Sequence, residues 1–300
     1  MNDPFNQKYM AARAPDLFAG QPRTFSIEIF PPKTEEGLQK LHGTISELCK
    51  LRPDFISCTY GAGGGSRDKT FDIAQHIQDK HGCLAVAHLT CVCHTREELL
   101  GILTGIKDRG LRNVLALRGD PPKDNPGWTP GEHNFRYSSE LVKFIRDHFS
   151  GHFGIGVAGF PEGHVLCRDR EQDARYLKMK IDSGADFVIT QLFFNNQDYF
   201  DYVKRLRRIG VTARVIPGIL PVTDYHGLVR FCGNCGTDIT DEVKKIFEPI
   251  QDDKDKILEE GIRFAVRQCR ELLDGGAPGL HFYSLNRVHP VDEILKQVRR

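Results

Sequence analysis

Glu28 lies in a short apolar run, Phe25-Ser-Ile-Glu-Ile-Phe30, that leads into Pro-Pro-Lys33. A carboxyl group at the end of a buried strand is a candidate proton donor or acceptor, because burial and neighbouring charge can tune when it ionises. Its neighbours Ile27, Ile29 and Phe30 are expected to form an apolar setting that keeps it protonated near neutral pH. Polar residues interrupt or follow other apolar runs in the same way: Thr59-Tyr60-Gly61, His88 with Thr90, Arg118-Gly119-Asp120, Phe160-Pro-Glu162-Gly-His164, Gln191, and Tyr283 with Asn286 and Arg287. Singly, each has a structural explanation, such as a strand carboxylate paired with arginine or a histidine satisfied in the core. Their shared position at run ends makes a common site the better account.

The runs that carry them read as strands: Phe25–Phe30, Phe55–Tyr60, Leu84–Val92, Asn113–Leu117, Gly154–Gly159, Phe187–Phe193, Arg214–Ile219 and Leu280–Leu285. Most are too continuously apolar for half-exposed antiparallel strands and fit strands buried on both faces. Segments of helical period separate them, over Glu35–Leu51, Lys69–Lys80, Arg96–Arg109, Ser139–Phe149, Asp169–Ser183 and Gln197–Ile209. Gly82, Gly110, Gly184 and Gly210 stand where left-handed helix ends would need glycine. Eight alternating units predict a single α/β domain, a (β/α)8 TIM barrel over residues 21–300 behind an N-terminal arm, 1–20. The longest insertion, Asn234 to Gly279, carries a further helical stretch at Lys256–Leu273. In such a barrel the strand tips and the loops after them form the site.

Composition narrows the function. The 300 residues carry 41 Lys and Arg against 40 Asp and Glu, so no basic footprint for nucleic acid is expected and a small molecule is the implied partner. Residues Met1 to Gly20 include Asp3, Lys8, Arg13 and Asp16 and lack the apolar core of a signal peptide; no run approaches a membrane span. Nine scattered cysteines fit reduced thiols, and a cytoplasmic location is expected. Cys232-Gly-Asn-Cys235 has metal or redox spacing but no second half, so inert thiols and no metal are expected. Gly61-Ala-Gly-Gly-Gly65-Ser-Arg-Asp-Lys69-Thr fails both the P-loop and the dinucleotide fingerprint, leaving a flexible rim loop or a backbone that approaches a ligand closely.

Seven collinear motifs resemble the methylenetetrahydrofolate reductase family from Phe25 to Arg287. They are Phe25-Ser-Ile-Glu-Ile-Phe-Pro-Pro-Lys33, Thr59-Tyr-Gly-Ala62, Ala87-His-Leu-Thr90, Leu117-Arg-Gly-Asp-Pro-Pro122, Gly184-Ala-Asp-Phe-Val-Ile-Thr-Gln191, Pro217-Gly-Ile-Leu-Pro221 and His281-Phe-Tyr-Ser-Leu-Asn-Arg287. The resemblance implies a barrel with FAD across its mouth, NADH or NADPH as reductant, and 5,10-methylenetetrahydrofolate reduced to 5-methyltetrahydrofolate for methionine synthesis.

By resemblance, Glu28 is the proton donor to the folate. The flavin would be contacted by Thr59, Tyr60, His88, Arg118, Gly119 and Asp120, and by Tyr137, Ser138, Phe160, His164, Asp173 and Lys180. Arg118 and Lys180 suit phosphate charge, and Asp120 near the flavin would disfavour its anionic reduced form. Asp120 and Gln191 match positions that recognise the pterin, and Tyr283 and Arg287 match the substrate side. Tyr176 and Met179 stand where the family varies among polar residues and carry no assignment. Some relatives add a C-terminal regulatory domain; from the end at Arg300 no such regulation is expected. Two alternatives stay open: a flavin barrel reduced by a partner protein, and a non-catalytic folate- or flavin-binding subunit. A homo-oligomer is the default expectation.

Overall fold

The eight apolar runs become eight parallel strands that pair in chain order and close on themselves, the last strand against the first. The computed structural model describes residues 12–60, 67–121 and 125–299, so the glycine-rich run 61–66 falls outside the described residues. After a short helix, α1 (Ala14–Phe18), the order is β1 (Thr24–Ile29), α2 (Glu35–Lys50), β2 (Phe55–Cys58), α3 (Arg67–His81), β3 (Ala85–Thr90), α4 (Arg96–Asp108) and β4 (Asn113–Leu117). There follow α5 (Ser138–Phe149), β5 (Gly154–Gly159), α6 (Arg170–Asp182), β6 (Phe187–Leu192), α7 (Asn196–Arg208), β7 (Arg214–Ile219) and α8 (Tyr225–Cys235). The chain ends through α9 (Asp241–Phe247), α10 (Lys254–Asp274), β8 (Gly279–Tyr283) and α11 (Val291–Val298).

Local chemistry starts and stops these elements where expected. Thr34 accepts the Gly37 N–H to begin α2, and Thr95 with Glu98 forms a reciprocal capping box on α4. Gly82, Gly110, Gly184 and Gly210 all take positive φ after their helices, which a side chain would resist. Strands two, three, six and eight are shorter than the sequence runs. Thr59 already leads out of β2 with its N–H on Ile29 O, and Leu285 and Asn286 turn to left-handed backbone beyond β8. The strand tips therefore bend into the mouth rather than continue the ladder.

Alternation along each strand builds two cores. Outward residues such as Ile27 and Ile29 pack with Leu41, Ile45 and Leu48 of α2. Inward residues Phe55, Val86, Leu115, Phe187, Ile189 and Ile216 fill the barrel, as side-chain layers do in this architecture. A Cβ on Gly156 would lie 2.6 Å from the Phe187 ring, so the small residue makes room for the large one. At the opposite end from the site, Ala14 N–H donates to Asn113 Oδ1 at 2.6 Å and Phe18 meets Phe187 edge-on at 5.4 Å, closing the barrel floor. The long insertion packs as a separate apolar cluster in which Phe194, Val222, Tyr225, Phe247 and Phe264 join α8, α9 and α10 to the barrel wall.

Candidate active site

Glu28 is the last inward-facing residue of β1, and its carboxylate stands between two imidazoles. Its Oε2 lies 3.3 Å from His88 Nε2 and 3.4 Å from His281 Nε2, with the side chain 16% exposed at the barrel mouth. The His88 contact is close enough for an ion pair but lacks hydrogen-bond alignment, and Nε2 of that ring has no hydrogen-bond partner among the described residues. Burial pushes the Glu28 carboxyl up; the His88 charge, the hydrogen bond from His281, the close approach of His88 and the His281 charge together outweigh it and bring the group down to about 2.

This corrects the expectation of an apolar setting that keeps Glu28 protonated. Strand alternation sends Ile27 and Ile29 to the outer core, while Phe30 is largely exposed past the strand end. What meets the carboxylate is decided by β3 and β8, not by its sequence neighbours. The two imidazoles favour the ionised form of Glu28.

On the opposite wall, β4, β5 and α6 bring several predicted residues together. His164 is lowered by burial, then by the Lys180 and Arg118 charges, with Asp120 pulling the other way and Arg168 adding to the fall. One histidine therefore senses three of the predicted charged residues, Arg118, Asp120 and Lys180. The Lys180 ammonium donates to Ala158 O at 3.0 Å and lies 5.6 Å above the Phe160 ring; burial brings it down to about 8 against the pull of Asp173. Asp173 is buried and raised to about 6 by burial, offset by Lys180 and by the His164 backbone N–H that it accepts. It thus anchors the loop after β5. Phe160 and His164 meet edge-to-face at 4.6 Å in that loop.

Gly119 has φ +83°, and an added Cβ would lie 2.6 Å from Val92 and 2.9 Å from Thr90, so bare backbone is required there. Asp120 beside it is exposed. Tyr137 caps the start of α5, 62% exposed, and Ser138 behind it is buried. Thr59 accepts a bond from Thr70 on its carbonyl, and Tyr60 shares a 2.9 Å hydrogen bond with His94 Nε2.

On the β6–β8 side, Tyr283 donates to Thr190 O at 2.7 Å, and Gln191 folds its carbonyl back onto the Leu192 N–H at 3.0 Å. Burial and the nearby Glu28 charge push the Tyr283 phenol well above its ordinary range, so it stays neutral. Arg287 is exposed at the rim, its N–H on Ser284 O. The loop that carries it is tied to β1: Ser284 Oγ donates to Glu28 O at 2.6 Å, and the Asn286 amide bridges the Phe30 N–H and C=O.

Three participants were not singled out from sequence: His281, Ser26 and Gly218. Ser26 and Glu28 are two apart on β1, as His281 and Tyr283 are on β8, so the period of a strand places each pair on one face. That signal was available. Gly218 had none, since its role is the space it leaves for Tyr283. Cys232 and Cys235 fall in the last turn of α8 as free thiols, Cys232 buried. Among the described residues, His289, Asp292 and Glu293 have metal-ligand spacing, but Lys296 already bonds both carboxylates. No helix among the described residues is long and apolar enough to cross a membrane.

The profile of the family described as methylenetetrahydrofolate reductase matches residues 14–299. The maize protein "Methylenetetrahydrofolate reductase (NADH) 1" is 38% identical over 278 residues, covering 89% of this chain and 47% of its own length. The Escherichia coli "5,10-methylenetetrahydrofolate reductase" is 36% identical over 262 residues, covering 87% of this chain and 86% of its own. The chain spans about half the length of the first curated relatives it matches. A solved structure from Clostridium thermocellum, an uncharacterized protein that binds two copies of 5-methyl-5,6,7,8-tetrahydrofolic acid, superposes with TM-score 0.64 at 14% identity, covering 94% of this chain and 97% of that one. The solved structure supports the fold, while the profile over nearly all of the chain and the E. coli relative go further: this chain belongs to the methylenetetrahydrofolate reductase family.

Proposed function

We propose that the chain is the catalytic barrel of an FAD-dependent enzyme that reduces 5,10-methylenetetrahydrofolate to 5-methyltetrahydrofolate with NADH or NADPH, in the service of methionine synthesis. The observation that carries the reading is the Glu28 carboxylate held between His88 and His281 at the barrel mouth. It is a proton-handling group at the place where this architecture does chemistry.

The residues present fit a flavin dinucleotide. Lys180 is a buried ammonium with a single carbonyl as its hydrogen-bond partner among the described residues, which leaves donors for an anion. Arg118 adds charge nearby, His164 lies between them, and Gly119 offers backbone without a side chain. These residues, with Thr59, Tyr60, His88, Asp120, Tyr137, Ser138 and Phe160, would hold the cofactor, and Asp173 would fix Lys180 and the loop. The chemistry that FAD would supply there when bound is hydride transfer between the nicotinamide and the folate.

The protein's own work is then positioning and proton transfer. Asp120, Gln191, Tyr283 and Arg287 orient the folate over the mouth, and Tyr283 is held rigid by Thr190. Opening the folate's five-membered ring leaves a nitrogen that needs a proton, which Glu28 delivers. Mixing the purified protein anaerobically with NADH and with NADPH, followed by 5,10-methylenetetrahydrofolate, tests this directly. Bleaching and then recovery of the flavin spectrum is the expected course; a protein that is colourless after incubation with FAD and removal of the unbound cofactor would sink the proposal.

A further inference from the structure

In the reading above Glu28 delivers a proton, yet its carboxyl sits at about 2, so at neutral pH that proton has to be stored nearby. The titratable groups that face it are His88 from β3 and His281 and Tyr283 from β8; the Cys58 thiol of β2 lies in the outer core beside Ile29 and only feels the Glu28 charge. Burial and the Glu28 charge keep the thiol and the phenol neutral, and the phenol hydrogen is already on Thr190 O. That leaves the two imidazoles.

They are held differently. His88 Nε2 approaches without hydrogen-bond alignment, whereas His281 is gripped at its far nitrogen, with Nδ1 2.8 Å from Ser26 Oγ. Both Ser26 and His281 are fully buried, paired directly across the β1–β8 seam, and the Phe55 ring stacks on the imidazole at 6.0 Å. The Ser26 hydroxyl also donates to Leu280 O at 3.4 Å. A hydroxyl has one hydrogen, so with it on Leu280 O the Ser26 oxygen accepts from Nδ1–H. Nε2 then becomes the nitrogen that gains and loses a proton. A bare Nε2 facing a bare carboxylate oxygen at 3.4 Å would be two acceptors in opposition, and a proton between them removes the conflict.

We propose that His281 is the positioning residue for Glu28, its tautomer set by Ser26, and that the pair formed by His281 Nε2 and Glu28 Oε2 stores the proton passed to the folate nitrogen. This rests on Glu28 being the donor. The proton moves from Nε2 to Oε2 and on to the nitrogen, leaving neutral His281 with its hydrogen on Nδ1 and an ionised Glu28. Solvent returns a proton to Nε2 when the product leaves the mouth.

Ser26→Ala and His281→Asn, each checked for FAD content and melting temperature, test the inference by stopped-flow measurement of the two half-reactions across pH, with Glu28→Gln as reference. In Ser26→Ala the folate half-reaction is expected to fall about tenfold at neutral pH, with its pH profile moved by about one unit, while reduction by nicotinamide is unchanged. His281→Asn should lose the folate half-reaction more fully. A Ser26→Ala profile that superimposes on the parent's overturns the inference while leaving Glu28 as donor. Undiminished folate reduction by Glu28→Gln overturns the donor reading and this inference with it. Independently of turnover and of either variant's folding, nitrogen-15 histidine spectra of the unsubstituted protein should show the His281 hydrogen on Nδ1 at pH 7; a neutral ring protonated only on Nε2 overturns the proposal.

Discussion

Tyr283 lies across Gly218 with its hydroxyl on Thr190 O at 2.7 Å, and a Cβ on that glycine would stand 2.7 Å from the tyrosine ring and 2.3 Å from the Thr190 carbonyl. The small residue on β7 thereby sets where the phenol of β8 can rest, and the phenol borders the place proposed for the folate. Gly218→Ala is expected to displace Tyr283, to raise the folate KM by about tenfold, and to destabilise the fold by ~1–3 kcal/mol through overpacking. Steady-state kinetics beside thermal melts would check both; an unaltered folate KM would separate Tyr283 from the substrate.

Glu28→Gln keeps the shape and removes the ionisable proton. The folate half-reaction is expected to fall by at least about a hundredfold, while flavin reduction by nicotinamide stays within about twofold of the parent. Single-turnover kinetics of each half measure it. Equal losses in both halves would show that Glu28 positions the flavin instead.

The same carboxyl also leaves a signature in stability. Its pKa is lowered from 4.5 to about 2 in the folded protein, because His88 and His281 outweigh the opposing effect of burial. A depressed carboxyl stabilises the fold above its unfolded pKa, and that contribution is lost as pH falls from about 4.5 toward 2. Denaturant unfolding between pH 6 and pH 3 should show a slope that Glu28→Gln reduces, by on the order of 2 kcal/mol across the window. Parallel slopes would mean that the histidines do not hold the charge.

Lys180 links pH to cofactor binding. Burial lowers its ammonium from 10.5 to about 8, so the buried charge costs stability below pH 8, and stability rises as pH climbs from about 8 to 10.5. A phosphate needs the charged form. FAD affinity is therefore expected to weaken as pH rises through about 8, and Lys180→Met to lose about tenfold or more in affinity and to flatten that dependence. Fluorescence titration with FAD at pH 7 and pH 9.5 reads both effects; a parent affinity independent of pH would remove Lys180 from the phosphate.

Glu162 ties the loop after β5 to the segment between α8 and α9, accepting the Asp238 N–H at 2.8 Å. Burial raises its carboxyl to about 7; the Asp238 N–H opposes, while the Asp238 and Asp198 charges reinforce. A raised carboxyl contributes most below its unfolded pKa, and that contribution is lost as pH climbs from 4.5 through 7. Glu162→Gln retains an acceptor for Asp238 without the charge and should stabilise the protein at pH 8 by ~1–3 kcal/mol, with little effect at pH 5. Chemical denaturation at the two pH values decides; equal stabilities at pH 8 would show that the buried charge is tolerated there.

Much of the site was legible because strand tips in a closed barrel converge by construction. Arg118 and Asp120 follow β4 while His164 and Lys180 follow β5, and the charges of the other three act on His164. Asp173 was expected to touch the cofactor; that it is buried and holds the His164 backbone was not legible in the sequence. The strand limits at Tyr60 and Leu285 were overrun because apolar character continues past the point where the backbone leaves the ladder. Hydrophobicity marks burial, not hydrogen bonding.

By itself the sequence determined the alternation of strands and helices, their order and the family, because burial on both faces, helical period and glycine at helix ends are local properties of the chain. Only the tertiary structure decided the state of Glu28. Ile27 and Ile29 are its neighbours in sequence but face the outer core, while Ser26 and His281, 255 residues apart, are joined only when β8 closes on β1. Charge state depends on what lies across space from a group, and closure of the barrel put two imidazoles there.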